Sequence, residues 1–225
     1  MTASLMSRRC LLLDFDGPIC AVFSGITDRS AATDLAAHLQ LPLPAEVAAS
    51  KDPFDVLRYS AQVSPETAAA ANDEFTRIEC RAVELARPTD AACDLIREAT
   101  EYGRTVAIVS NNSVAAINAY LHAHNLSKYV QGVHARTDGD VTRLKPSPYL
   151  LQEAVGELSA DTSECVFIGD SVTDLQAGQA AEVPTIGLAN RAEKIQRFGA
   201  LSPAAIITSM GDALQAMRES RPRQR

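Results

Sequence analysis

The sequence predicts an α/β fold: a Rossmann-like, doubly wound parallel sheet with an α-helical domain inserted into it. Short apolar runs without polar alternation recur along the chain, which is typical of strands buried on both faces. Helical patterns separate several of these runs, so strand and helix alternate as in βαβ units. The alternation is broken once, early in the chain, by a stretch that has helical patterns only. The predicted strands cover residues 10–13, 105–109, 129–133, 165–168 and 184–188.

The strand at 129–133 is the weakest of these, because Gln131 and Gly132 interrupt its apolar run. The helices between the strands are better bounded. Residues 89–102 have apolar positions at helical spacing and end at Gly103, a residue type that favours the cap conformation after a helix. The other helices predicted between strands cover residues 113–124 and 148–158.

Residues 20–87 are the stretch that breaks the alternation. A helix is predicted at 28–39, and two more open at Asp52-Pro53 and Ser64-Pro65. In each pair the first residue supplies a capping side chain, and proline takes a position whose N–H needs no partner. We therefore expect an α/β core made of residues 1–19 and 88–225, interrupted by a helical domain at 20–87.

Length and charge bound the class of protein. The chain has 225 residues, which fits one large domain or one domain with an insertion. Its formal net charge of −7 argues against general nucleic-acid binding, because phosphate backbones need a basic surface. A small phosphorylated ligand stays compatible with this charge, since one local site can be positive in an acidic protein.

No apolar run reaches the roughly 18 residues that a membrane span needs. The five cysteines lack the spacing of a zinc site or a disulfide framework, which favours reduced thiols. We therefore expect a cytoplasmic protein that binds neither membrane nor nucleic acid. The basic end at residues 218–225 is predicted to be a solvated tail, and no feature of the sequence indicates an oligomeric state.

Polar residues follow the predicted strands at the edge where ligands bind in open parallel sheets. Asp14 and Asp16 come directly after the first strand, and alternation places both side chains on one face. Two carboxylates so close repel each other unless a cation lies between them or one is protonated. The pair is typical of a nucleophile and a general acid/base around Mg²⁺, although a solvated turn explains it as well.

Two further loops carry groups that suit phosphate binding. Ser110 and Asn111 follow the second strand, where a hydroxyl and backbone N–H groups can cradle a phosphate or simply cap the next helix. Lys145 lies in a loop before a helix and offers a point charge for a phosphoryl oxygen. Taken alone, it is an ordinary surface lysine.

Asp170 and Asp174 follow the predicted strand at 165–168. Carboxylate oxygens at a strand end are the hard ligands that Mg²⁺ prefers, and if the turn is helical a spacing of four places both on one face. Acidic residues are also favoured at any helix N-terminus by the helix dipole, so this motif alone leaves both interpretations open.

The order of all four motifs, from about residue 9 to 188, resembles the haloacid dehalogenase-like hydrolase superfamily. Residues 20–87 look like the helical cap of that superfamily, and the motif from Gly169 to Asp174 looks like its phosphatase members, including phosphoglycolate phosphatases. Pro18 departs from the pattern, because the family more often has Thr or Val there. The proline stiffens the chain where it enters the cap.

The resemblance implies roles for these residues. Asp14 would attack phosphorus, and Asp16 would protonate the leaving oxygen and then activate water. Mg²⁺ would be held by Asp14, the Asp16 backbone carbonyl and Asp170, with Asp174 as a further ligand or as an orienting group. Ser110, the Asn111 backbone N–H and Lys145 would hold the transferring group. The expected activity is Mg²⁺-dependent hydrolysis of a small phosphorylated metabolite.

Other reaction classes stay open to different degrees. Dehalogenases and phosphonatases resemble this chain in fold but lack an acid at the position of Asp16, which favours phosphate-ester chemistry. A sugar-phosphate mutase uses the same acid pair and remains an alternative, as does a ligand-binding relic without activity. Arg58 could bind a second anionic group, although a surface arginine on a helix is the more frequent case. Cap residues are expected to contact the substrate, with Phe23, Phe54, Asp55, Arg58 and Tyr59 as the candidates.

Overall fold

The structure, a computed structural model, describes residues 2–220, and within that range six parallel strands form one sheet in the order β5-β4-β1-β6-β7-β8. A separate two-stranded ribbon pairs β2 with β3. In chain order the strands are β1 (Cys10–Leu13), β2 (Cys20–Ala21), β3 (Arg87–Pro88), β4 (Thr105–Ser113), β5 (Gly132–Arg136), β6 (Cys165–Gly169), β7 (Thr185–Leu188) and β8 (Ala205–Ile207).

The helices lie before, between and after these strands. In chain order they are α1 (Thr2–Leu5), α2 (Asp28–Leu39), α3 (Ala45–Ala49), α4 (Pro53–Val63), α5 (Pro65–Glu84), α6 (Ala92–Glu101), α7 (Val114–Ala123), α8 (Tyr149–Glu157), α9 (Val172–Ala180), α10 (Ala192–Gly199) and α11 (Met210–Glu219). No helix within the described range is both long and apolar enough to cross a bilayer.

The sheet has helices on both faces, and alternation along β1 shows why. Leu11 and Leu13 pack in a cluster with α6, α7 and α11, whereas Cys10 and Leu12 pack with α8 and α9 on the other face. Both sets of side chains are therefore buried, which explains an apolar run without polar alternation. The predicted α/β class with a parallel, doubly wound sheet is confirmed.

The strand order positions the site. From β1 the chain builds the sheet outward through β4 and β5, then returns to build the other half from β6. The change of direction falls between β1 and β6, and ligands of such sheets bind beyond the carboxyl ends of the strands at this point. Asp14 and Asp170 are the residues that directly follow these two strands.

The helices between β2 and β3 form a cluster of their own. Leu35 of α2, Leu57 of α4, and Phe75 and Ile78 of α5 share one buried apolar core. The antiparallel pairing of β2 with β3 lies where the chain enters and leaves this region. The predicted helices at 28–39, Asp52-Pro53 and Ser64-Pro65 are present, and Asp52 and Ser64 accept the capping hydrogen bonds from Phe54 and Thr67. The division into two domains stays a prediction.

Three expectations about elements are wrong in detail. The predicted strand at 129–133 is shifted to β5, and Tyr129 lies in a single 3₁₀ turn, because the buried part of the strand includes the polar His134 and Arg136. The block at 20–87 is not purely helical, since Cys20 and Ala21 pair in a strand. Arg218 lies in the last turn of α11 and donates to Glu98 at 2.9 Å, so the solvated tail does not begin there. Residues 221–225 lie outside the described range.

Candidate active site

Asp14 and Asp16 stand at the carboxyl end of β1 and line one cavity of about 220 Å³. The backbone N–H of Asp14 donates to the carbonyl of Ile168 at 2.9 Å, which extends the pairing of β1 with β6 by one residue. Asp16 Oδ1 accepts from the N–H of Val22 at 2.9 Å. Burial raises the pKa of Asp16 to about 7, against the opposing effect of the Val22 bond. The side chain can therefore exchange a proton near neutral pH.

Gly17 lets the loop after β1 pass close to Asp170. Its φ is +102°, and a Cβ at this position would lie 2.4 Å from Cγ of Asp170. Both observations require glycine, because side chains rarely adopt this φ and none would fit in the space. The loop therefore brings Asp14 and Asp16 against the residue that follows β6.

Lys145 is buried at the centre of the site. Its Nζ lies 2.7 Å from Asp14 Oδ1 and 2.5 Å from Asp174 Oδ1, and it donates to the carbonyl of Val109 at 3.0 Å. Burial alone would lower the pKa of Lys145, but the two carboxylates raise it above its ordinary value. A buried lysine so paired stays charged and holds both carboxylates in place.

Asp174 is held by the start of α9 as well as by Lys145. Its Oδ2 accepts from the backbone N–H of Asp170 at 3.0 Å and of Ser171 at 2.9 Å, and from the Ser171 hydroxyl at 2.6 Å. Asp174 therefore serves as a helix-capping acid and as a partner of Lys145 at once. Its contacts fit an orienting role better than that of a freely available ligand.

Asp170 has a partner that the sequence analysis missed. Lys194 of α10 places its Nζ 2.6 Å from Asp170 Oδ2. Burial raises the pKa of Asp170, and Lys194 partly offsets that rise. No motif pointed to Lys194, because α10 itself was not predicted and a lone lysine carries no signal of its contact.

The acidic residues fit Mg²⁺. Carboxylate oxygens of Asp14, Asp170 and Asp174 all lie within 4.8 Å of one another. Such hard oxygen donors suit Mg²⁺. Burial, together with Asp174, raises the pKa of Asp14 despite the neighbouring Lys145, so this cluster is short of positive charge. Asp14 and Asp170 are the side chains best placed to hold the ion.

Ser110 and Asn111 lie where β4 departs from regular pairing. Ser110 pairs with Ala135 and Ser113 with Arg136, which is the next residue of β5. The two residues of β4 between them, Asn111 and Asn112, therefore have no partner among the described residues of β5. The side-chain amide of Asn111 donates to the carbonyl of Lys145 at 3.0 Å and accepts from its N–H at 2.8 Å. The sequence predicted only a backbone role for Asn111, yet its side chain fixes the backbone of the buried lysine.

Two of the five residues expected to contact the substrate line the cavity. Phe54 and Arg58 line it together with Asp52, which the sequence analysis did not single out. The other three are not among the described residues that line this cavity, and their contact with a substrate stays a prediction. Phe23 stacks on Phe75, Asp55 pairs with Arg58, and the Tyr59 hydroxyl donates to the Pro42 carbonyl.

Arg58 is already engaged by acids. Its guanidinium lies 2.9 Å from Asp55 and 3.9 Å from Asp52, and its side chain is 42% exposed. A paired, exposed arginine contributes little net positive charge to the cavity. These contacts favour the ordinary surface arginine, the more frequent case for the sequence, over a group that binds a second anion.

Comparison with known proteins decides the family. A family profile described as haloacid dehalogenase-like hydrolase matches residues 9–182. The chain belongs to this family. The resemblance drawn from the four motifs is confirmed, and the motifs at Asp14, Ser110, Lys145 and Asp170 all fall within the matched range.

Curated relatives match only in part. The chain is 32% identical over 117 residues to a bifunctional riboflavin kinase/FMN phosphatase of Arabidopsis thaliana, covering 52% of this chain and 31% of that one. It is 28% identical over 130 residues to the pyrophosphatase PpaX of Listeria monocytogenes, covering 58% of this chain and 59% of that one. The matches thus cover less than two thirds of these relatives.

A solved structure extends the similarity to nearly the whole chain. The crystal structure of a predicted phosphatase from Clostridium acetobutylicum superposes with a TM-score of 0.73, covering 94% of this chain and 99% of that one. The sequence identity is 15%, so this similarity supports the fold alone.

The buried acids predict an unusual pH dependence of stability. Because the pKa of Asp16 rises from 3.8 to about 7 on folding, the folded protein binds more protons than the unfolded one between these values. We expect the free energy of unfolding of the metal-free protein to fall from about pH 5 to pH 8, measured by urea titration in EDTA. Asp16→Asn should reduce this slope without removing it, because the pKa values of Asp14 and Asp170 are raised as well. A rise in stability with pH would contradict the prediction.

Proposed function

We propose that this protein hydrolyses small phosphate monoesters with Mg²⁺ through an aspartyl-phosphate on Asp14. The observation that carries the proposal is the placement of Asp14: a buried carboxylate at the end of β1, 2.7 Å from the Lys145 ammonium and sharing its cavity with Asp16. Membership of the hydrolase family supports it. The cavity volume of about 220 Å³ favours a small ester as substrate.

In the first step the Asp14 carboxylate attacks phosphorus, and the bond to the ester oxygen breaks. Asp16 gives its proton to that oxygen, so the alcohol leaves neutral. A pKa of about 7 keeps much of Asp16 protonated near neutral pH, as a general acid requires.

In the second step a water attacks the phosphorus of the acyl phosphate, and Asp16 takes a proton from that water. The carboxylate of Asp14 is released together with orthophosphate. Lys145 and the Ser110 hydroxyl hold phosphoryl oxygens in both steps, while Asn111 keeps the lysine in position.

Mg²⁺ held by Asp14, Asp170 and the Asp16 carbonyl would screen the nucleophile from the negative phosphoryl group. Asp174 orients Lys145 and caps α9. Lys194 must then share Asp170 with the ion or move away from it.

The test is release of orthophosphate from an aryl phosphate by the purified protein. We expect turnover with Mg²⁺, none in EDTA, and recovery when Mg²⁺ is restored. A panel with pyrophosphate, FMN and 2-phosphoglycolate addresses the substrate. No turnover on any member of the panel would reject the phosphatase proposal. Transfer of labelled phosphate to a sugar product, instead of to water, would favour the mutase alternative.

Asp16→Asn should separate the two steps. An aryl phosphate with a good leaving group needs little proton donation, so the first step survives while the second slows. We expect a burst of one equivalent of phenol followed by turnover reduced about 10²–10⁴-fold, the usual range for a general acid/base. With alkyl phosphates the variant should show neither the burst nor the later turnover, because their leaving oxygen needs the proton. Equal losses on aryl and alkyl esters, without a burst, would remove Asp16 from the acid/base role.

A further inference from the structure

A buried ion pair lies beside the site, and the mechanism above uses neither member. Glu79 of α5 and Arg136 at the end of β5 meet at 2.6 Å between Oε2 and Nη2, with side chains 0% and 1% exposed. Two charges removed from water are costly unless further hydrogen bonds satisfy them. Their other contacts therefore indicate what the pair holds in place.

Both members bind the irregular part of β4. Glu79 Oε1 accepts from the Asn112 side-chain amide at 3.0 Å, and Oε2 accepts from the Ser113 N–H at 3.0 Å. Arg136 Nε donates to the Asn111 carbonyl at 3.2 Å. In the described register, Asn111 and Asn112 have no partner residue in β5 and form a bulge in β4. The ion pair therefore supplies hydrogen bonds where the regular pairing of the two strands is interrupted.

The same pair attaches this bulge to α5. Arg136 donates to Asn72 Oδ1, and its guanidinium lies 4.7 Å from the ring centroid of Phe75. Asn72, Phe75 and Glu79 are all buried residues of α5, three and four positions apart, and so lie on one face of the helix. A long helix of the inserted region is thereby fixed to the segment that carries Ser110 and Asn111.

From the bulge the contacts continue to the nucleophile. The Asn111 side chain makes two hydrogen bonds with the Lys145 backbone, and Lys145 Nζ contacts Asp14. Each contact in this series joins groups that are buried or partly buried. Displacement of one partner there leaves the other polar group unsatisfied. A shift of Glu79 or Arg136 therefore moves the groups assigned to the phosphate.

We propose that Glu79 and Arg136 are positioning residues of the phosphate-binding segment and couple α5 to phosphate binding. The inference rests on the proposed function, because it takes the bulge of β4 as the place where phosphate binds. It assigns neither residue to the chemistry itself.

The experiment compares Glu79→Gln and Arg136→Lys with the wild-type protein. Glu79→Gln keeps the shape and removes the charge, and Arg136→Lys keeps the charge and removes the planar donor set. We expect the KM for an aryl phosphate and the inhibition constant of orthophosphate to rise about tenfold, the equivalent of one lost hydrogen bond to a charged group. Affinity for Mg²⁺, measured by calorimetry without substrate, should change less than about twofold.

Glu74→Gln is the matched control, since Glu74 is a partly buried acid of the same helix whose partners, Arg77 and His38, are exposed and lie outside the site. It should leave KM and the orthophosphate constant unchanged. A lower melting temperature of Glu79→Gln with unchanged KM and inhibition constant would overturn the inference and leave a purely structural pair. Wild-type protein that shows no turnover would instead reject the proposed function.

Hydrogen exchange of the wild-type protein tests the coupling without any variant, should Glu79→Gln and Arg136→Lys fail to fold. Orthophosphate with Mg²⁺ should slow exchange in the segment of α5 around Glu79 and leave α2 unchanged. Equal exchange rates in α5 with and without orthophosphate would overturn the inference.

Discussion

Asp14→Asn should reduce turnover of an aryl phosphate by about four orders of magnitude or more, the scale seen when a nucleophile is removed. The amide has nearly the same shape as the carboxylate but cannot attack phosphorus. Lys145 keeps Asp174 and the Val109 carbonyl as partners, so the fold should persist with a similar melting temperature. Steady-state kinetics and thermal unfolding, measured on the same preparation, provide the check.

The control for Asp14→Asn is the same substitution at Asp34, an exposed acid of α2. It should leave kcat and KM unchanged. Mass spectrometry of the wild-type protein, quenched during turnover, should find one phosphoryl group on the peptide that contains Asp14, and none in the variant. Turnover of Asp14→Asn within tenfold of wild type would exclude Asp14 as the nucleophile.

The central strands were predictable because their apolar residues face helices on both sides. β1 and β6 agree with the predicted runs to within one residue. β8 has three residues, too few to show a pattern, and was missed with the helices around it. β5 was displaced because two of its buried residues, His134 and Arg136, are polar, and their partners lie far away in sequence.

The grouping of Asp14, Ser110 and Asp170 was predictable from topology, since the carboxyl ends of parallel strands meet at one edge. Lys145 follows no strand directly, and its place in the site was expected only from the resemblance to the family. Lys194 was not predictable, because its contact depends on how α10 packs. Glu79 did have a signal. It follows Phe75 and Ile78 and precedes Ala82 on the apolar face of α5, and a charged residue at such a position requires a buried partner.

Lys145→Met should have the largest effect on stability. The substitution leaves the carboxylates of Asp14 and Asp174 buried close together without the lysine that pairs with both. Breaking a buried pair in this way costs about 3–5 kcal/mol, because the remaining charge is uncompensated. In a chain of this length we expect the melting temperature to fall by roughly 10 °C or more. Urea unfolding in EDTA measures the loss directly.

A double-mutant cycle with Asp14→Asn distinguishes lost charge pairing from lost packing. Once Asp14 is an amide, removal of Lys145 leaves one uncompensated carboxylate instead of two, so Lys145→Met should cost at least about 1 kcal/mol less than in the wild-type background. Costs that add within about 0.5 kcal/mol would show that Lys145 acts mainly by filling space. Mg²⁺ should restore part of the stability that Lys145→Met loses, because the ion supplies positive charge to the same carboxylates.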